Sequence, residues 1–129
     1  MQRIVLGLIK DSSKILISRR KPNTSFAGFW ELPGGKCNID ECDFSALKRE
    51  LHEELGITLL QAKKINDFNH SYGDVNLNLS VWMVNKFSGN MHGAEGQDII
   101  WCEISDIANY RFPPANEKIF KYLIKHGLI

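Results

Sequence analysis

Glu50, Glu53 and Glu54 are the residues whose type and spacing most directly suggest chemistry. They close the segment GGKCNIDECDFSALKRELHEELGI, Gly34 to Ile57, which holds six acidic residues between Asp40 and Glu54. Helical residues three and four apart share a face, so three carboxylates would be presented toward one small volume, each like-charged pair costing roughly 0.2–0.5 kcal/mol. A partner from outside the segment would offset that repulsion. Without one, the string reads as an exposed helix face, a setting that suits Glu and Arg.

The element that must carry these groups is written in the apolar residues. Leu47, Leu51 and Leu55 recur every four positions, Ala46 joins them, and Gly56 stands where a helix ends, so Asp43 to Leu55 is predicted to be a helix with its leucines toward the core. Cys42 occupies a place where Ser or Thr would cap better, which leaves Asp43 or Asp40 as the expected cap. Upstream, Arg3–Ile9 and Ile15–Arg19 are apolar runs flanking the polar DSSK and predict two strands and a turn, followed by the loop KPNTSFAGF. Downstream, Val75, Leu77, Leu79 and Val81 alternate with Asn76, Asn78 and Ser80, the period of a half-buried strand, with KKINDFNHSY as its antiparallel partner. Asp98 to Glu103 predicts another strand, Ser105 a short helical turn, and about Glu117 to His126 a last helix stopped by Gly127. No repeat, linker or low-complexity tract interrupts this order, so residues 1–129 are expected to form one domain.

Composition narrows the function classes. With 43% apolar and 24% charged residues, 129 residues suffice for one core. Sixteen basic residues against fifteen acidic, with no long run of either sign, argue against a nucleic-acid polymer as partner and leave room for a small charged ligand. The opening MQRIVLGLIK is too short an apolar stretch for a signal peptide or a membrane span, so a cytoplasmic protein with no membrane partner is expected. Cys37, Cys42 and Cys102 are an odd set without zinc-ligand spacing and are expected to be reduced. His52, His70, His92 and His126 are scattered and are expected at the surface or partly packed.

Read as a pattern, the acidic segment is Gly35, five residues, Glu41, seven residues, then Arg49-Glu50-Leu51-x-Glu53-Glu54-x-Gly56-Ile57. This resembles the signature of the Nudix hydrolases without a departure. At roughly 6% usage per residue type, seven fixed identities would coincide with a probability on the order of 10⁻⁹ per starting position. The Arg pair in ISRR, the stretches WELPGGK and AEGQ, and above all FPPANEKI extend the likeness toward the MutT branch and over most of the chain.

The resemblance implies an α/β/α sandwich, a mixed β-sheet between helices, and it supplies the missing partner: Mg²⁺, or Mn²⁺, whose preference for oxygen ligands fits the glutamates. By position, Glu50, Glu53 and Glu54 are similar to the family's metal ligands, with the backbone carbonyl of Gly34, and Glu95 resembles a further ligand or base. Glu41 and Arg49 look like residues that brace the loop against the helix, Arg49 being counted with the catalytic set. Arg20 resembles a phosphate contact. Glu31, Leu32, Pro33, Gly34 and Tyr72 are expected beside the substrate, while Trp30 fits a core position better than a base pocket.

The implied reaction is attack of water at the β-phosphorus of a nucleoside triphosphate, giving monophosphate and pyrophosphate, with Glu50 as general base and Glu53 and Glu95 as rivals. Asn116 in PPAN matches the position that reads an oxidised purine: its amide could accept from N7–H and donate to O6 of 8-oxoguanine. Pyrimidine-preferring relatives tend to carry Asp there. The other reading of Asn116 is an N-cap of the last helix. The implied activity is therefore 8-oxo-dGTP diphosphatase, in a monomer with a dimer as the alternative. A pyrophosphatase for modified pyrimidine nucleotides or dinucleoside polyphosphates and a non-catalytic nucleotide sensor are the competing functions.

Overall fold

A computed structural model describes residues 1–129. Alternation in the first strand organises the whole: in β1 (Gln2–Leu8), Val5 faces one apolar cluster while Leu6 and Leu8 face another. The turn at Ser12 and Ser13 joins β2 (Lys10–Asp11) to β3 (Lys14–Arg19), which repeats the division: Ile15 and Ile17 face one way and Leu16 the other. Two short strands inside WELPGGK, β4 (Trp30–Glu31) and β5 (Gly34–Lys36), lie too close together to show a sequence period.

The acidic helix α1 spans Asp43–Leu55, as its leucine spacing predicts, and ends at Gly56 in the left-handed conformation. Its cap differs from expectation. Cys42 holds the N-cap position without a side-chain cap bond, and the Asp43 carboxylate does not cap in its place but turns toward the sheet, where it meets Arg3, Lys64 and the Ser80 hydroxyl. The hairpin of β6 (Thr58–Tyr72) and β7 (Val75–Ser88) follows, then β8 (Ile99–Glu103) and a 3₁₀ turn over Ile104–Asn109.

The last helix, α2, spans Pro114–Lys125 and so begins three residues earlier than the sequence suggested. Proline at the first helical position is preset in φ and has no N–H to leave unpaired, so the PP pair starts this helix. Asn116 therefore lies inside the first turn and is not its N-cap.

One sheet runs β5-β1-β7-β6, mixed because β1 pairs β7 in parallel and β5 antiparallel. A second links β2, β3 and β4, with β8 on the other side of β3. Leu47, Leu51 and Leu55 of α1 cover one apolar layer with Val5, Leu16 and Val84, and Ile119, Phe120 and Leu123 of α2 cover the other with Leu6, Ile17 and Leu79. This is the α/β/α sandwich, with α1 and the 20–34 segment meeting at one end of the strands. No helix is long and apolar enough to cross a membrane.

Candidate active site

The phase of α1 separates its three glutamates. Burying Leu47, Leu51 and Leu55 carries Glu54, one turn beyond Glu50, to the margin of the core, where it is 8% exposed. Glu53 stands about 100° around the helix from Glu54 and its side chain is 51% exposed. The expected convergence of all three is thus corrected: Glu50 and Glu54 line a polar cleft of about 130 Å³ together with Glu31, Glu95, Ser18, Arg20 and Gly34, and Glu53 stands outside it. No three acidic, His or Cys side chains stand close enough to share one cation in this conformation.

The glycine pair sets how near the helix can come. The Gly34 N–H donates to Glu54 Oε2 at 3.1 Å, and any Cβ on Gly35 would collide with the Glu50 carboxylate. Arg49 is the hub opposite. It donates through Nε and Nη2 to both oxygens of Glu41 at 2.8 Å, to the Lys36 carbonyl at 2.9 Å, and through Nη1 to Glu50 at 2.8 Å and Glu53 at 3.4 Å. The bracing role expected of Glu41 and Arg49 has this geometry: a fork tying the 36–41 loop to α1. Glu50 and Glu53 each keep one oxygen free of Arg49.

Burial drives the protonation of the cleft. The Glu54 carboxyl is pushed up to about 8, chiefly by desolvation and then by Glu31, with the Ser18 hydroxyl and Gly34 N–H pulling the other way. Burial raises Glu31 and Glu50 as well, opposed in each case by an arginine. Glu41 moves oppositely: hydrogen bonds from Arg49 hold it down at about 2. A carboxylate raised in the folded state is protonated there while already ionised in the unfolded chain, so stability falls as pH rises between the two values, by about 1.4 kcal/mol per pH unit at most. The metal-free protein should lose stability from about pH 4.5 to 8 chiefly on account of Glu54, a slope that should be shallower in Glu54→Gln, where Glu31 and Glu50 alone remain raised. Thermal melts in chelator across that range measure it, and parallel profiles would refute the burial assignment.

Glu95 reaches the cleft from the loop before β8, its carboxylate 3.2 Å from Lys21 Nζ. Gln97 closes the AEGQ stretch, where only Glu95 was expected to have a role, yet its amide fastens that loop: Nε2 donates to the Glu54 carbonyl at 2.8 Å, and Oε1 accepts from the Glu95 N–H at 3.0 Å. An amide can donate and accept at once, whereas an ionised carboxylate only accepts. In Gln97→Glu the donor is lost and a carboxylate faces the Glu54 carbonyl. Loss of such a supporting contact is expected to raise the divalent-ion concentration for half-maximal turnover about tenfold or more, and an unchanged metal titration would contradict the clamp.

A second, larger cleft of about 660 Å³ adjoins the first through Arg20, Thr24 and Glu31. Ile4, Leu6, Leu77 and Leu79 floor it, Phe26 and Tyr72 meet at 5.2 Å between ring centroids on its wall, and Asn116, 5% exposed, reaches it from α2. Arg20 donates to Glu31 Oε1 at 2.8 Å and to the Ser25 carbonyl at 2.6 Å, bridging the two clefts.

Two expected substrate neighbours behave differently. Leu32 is fully buried in the core, and Pro33 is buried with its carbonyl accepting from the Gly7 N–H; neither lines either cleft. What Leu32 contributes is its N–H, which donates to Asn116 Oδ1 at 3.0 Å. Trp30 packs edge-on against Tyr110 with Arg19 over its ring, away from both clefts, in keeping with its packing role. The cysteines are free.

Carboxylate and backbone oxygens line the acidic face of the smaller cleft, and a carboxylate raised by burial and then by an acidic neighbour is relieved by a hard divalent cation, so the donor set fits such an ion. Fold and site together define a class: an α/β/α hydrolase with an acidic cleft beside an apolar pocket. Residues 4–122 match the NUDIX domain family, and the chain belongs to that family. It is 34% identical to the 8-oxo-dGTP diphosphatase of Haemophilus influenzae, over 95% of this chain and 90% of that protein. It is 33% identical to the CTP pyrophosphohydrolase of Escherichia coli, over 90% and 86%. A solved structure from a study of MutT from Aliivibrio salmonicida and Vibrio cholerae superposes with a TM-score of 0.82 at 38% identity, covering 97% of this chain and 98% of that one.

Proposed function

We propose that this chain hydrolyses nucleoside triphosphates to monophosphate and pyrophosphate in the presence of Mg²⁺, with 8-oxo-dGTP as the preferred substrate, so removing an oxidised nucleotide from the pool that feeds DNA synthesis. The observation that carries the reading is the buried amide of Asn116 at an apolar cleft that opens directly onto the glutamate-lined one. The activity named for the Haemophilus influenzae relative supports it.

Glu50, Glu54, Glu95 and the Gly34 carbonyl, drawn together from the cleft they line, with Glu53 swung in from outside it, would hold Mg²⁺, or Mn²⁺ in its place. When bound, such an ion neutralises phosphate charge and lowers the pKa of coordinated water. The chain's own groups do the rest. Glu50, its carboxyl raised by burial and hydrogen-bonded by Arg49, is assigned to take the proton of the attacking water as that oxygen bonds to the β-phosphorus. The bond from the β-phosphorus to the α–β bridging oxygen breaks, and that oxygen leaves with the monophosphate. Glu53 and Glu95 are the alternative bases. Arg20, between the clefts, meets the phosphates, and the apolar floor holds the base. Both clefts are formed by one chain, so a monomer acting on a small nucleotide in the cytoplasm suffices.

A pyrimidine triphosphate as main substrate is the second reading, favoured by the likeness to the CTP pyrophosphohydrolase. Pyrophosphate release over a panel of nucleotides with and without Mg²⁺ tests both. Turnover that needs the metal is expected, and no turnover on any member of the panel would return the chain to the role of nucleotide sensor.

A further inference from the structure

The first turn of α2 has no cap from its own neighbours. Pro113 at the N-cap makes no side-chain hydrogen bond, and Pro114 has no N–H. The next N–H, that of Ala115, donates to the Tyr72 hydroxyl at 2.9 Å, from the far end of β6. One residue on, Asn116 Oδ1 accepts from the Leu32 N–H. A backbone N–H can be met only by the oxygen of an amide, so this bond fixes which way the Asn116 side chain faces. The NH₂ group and one remaining lone pair on Oδ1 are left for a ligand in the cleft that Asn116 lines. Two tethers from different elements thus set the place of one amide: Leu32 orients the side chain, and Tyr72 holds the backbone that carries it.

We infer that Tyr72 is a positioning residue for base selection and that its hydroxyl, through Ala115, sets where the Asn116 amide stands. The ligand is a purine whose edge presents a donor beside a carbonyl acceptor, and the inference rests on the base-reading role given to Asn116 above. Ring and hydroxyl have separable tasks. The ring packs against Phe26 at 5.2 Å and His70 at 4.5 Å and forms cleft wall, whereas the hydroxyl oxygen accepts from the first turn of the helix. Phe26 itself holds a positive φ of 55°, uncommon for a bulky residue, where it meets that ring. A phenylalanine at position 72 would keep the wall and delete only the tether.

The test measures kcat and KM for 8-oxo-dGTP and dGTP, with melting temperatures, in wild type, Tyr72→Phe and Asn116→Ala. Tyr72→Phe is expected to lower the preference for 8-oxo-dGTP over dGTP about threefold to tenfold, the range of one lost neutral hydrogen bond, mainly through the KM of the oxidised substrate. A lower melting temperature with the preference intact in Tyr72→Phe, while Asn116→Ala lowers it, would overturn the inference alone and leave the hydroxyl as a helix cap. An intact preference in Asn116→Ala would instead remove the base-reading role on which the inference stands.

Discussion

Glu54→Gln should lower turnover by about 10³-fold, the upper range for deleting one charged group aimed at a reacting centre, while leaving the fold intact. Leu47, Leu51 and Leu55 hold α1 in place and are untouched by the change. The same substitution should stabilise the metal-free protein at neutral pH, because Gln copies the protonated acid that burial already favours and the unfolded chain no longer gains by ionising. Adding Mg²⁺ should reverse the order: wild type gains stability by mass action and the variant gains less. Glu53→Gln should also lower turnover severely, but with little effect on metal-free melting, since its carboxylate is half exposed and leans on Arg49. Melts with and without the ion, beside turnover, decide the matter. A wild type whose melting ignores millimolar Mg²⁺, together with a fully active Glu54→Gln, would contradict the metal assignment.

Asn116→Ala should reduce the preference for 8-oxo-dGTP over dGTP at least about tenfold, or roughly 1.4 kcal/mol, the scale of one net hydrogen bond. Oxidation at C8 places a hydrogen on N7, so the edge changes from two acceptors to a donor beside an acceptor, matching the lone pair and NH₂ that Leu32 leaves available. Facing ordinary guanine, the amide oxygen would oppose a lone pair. The substitution should also cost about 1–3 kcal/mol of stability, because the buried Leu32 N–H loses its acceptor. Asn116→Asp separates the two effects: it can still accept from Leu32 but has no group to donate to O6. Selectivity lost in both variants, with stability largely kept in Asp, is the expected pattern. Stability lost with the substrate ratio kept would make Asn116 an anchor for Leu32 only.

What the sequence disclosed follows from the range of each interaction. The extent of α1 and the inner part of the hairpin were legible because their periods are local, leucines every four residues and Val75, Leu77, Leu79 and Val81 alternating, whereas the strands run on to Thr58 and Ser88, past the alternating stretch. The start of α2 was less legible, because its large apolar residues begin only at Ile119, whereas the helix itself begins at Pro114, where proline takes the first helical position. The acidic residues were legible as a group, but the outward position of Glu53 depends on how deeply the leucine face is buried, which spacing alone does not fix. The roles of Gln97, and of the Tyr72 hydroxyl as distinct from its ring, were invisible for a further reason. The Glu54 carbonyl that Gln97 meets and the Ala115 N–H that Tyr72 meets each lie 43 residues away, and no local pattern marks a side chain that reaches a distant backbone group. Leu32 shows the converse: an apolar residue expected at the substrate serves through its N–H while its side chain fills the core.

The base preference is tested most directly by kcat/KM for 8-oxo-dGTP, dGTP and CTP, measured side by side with the wild-type chain and Mg²⁺. A site that leaves a buried amide unpaired against the wrong base should favour 8-oxo-dGTP over each of the others by at least about 10²-fold. A value for CTP equal to or above that for 8-oxo-dGTP would contradict the oxidised-purine reading.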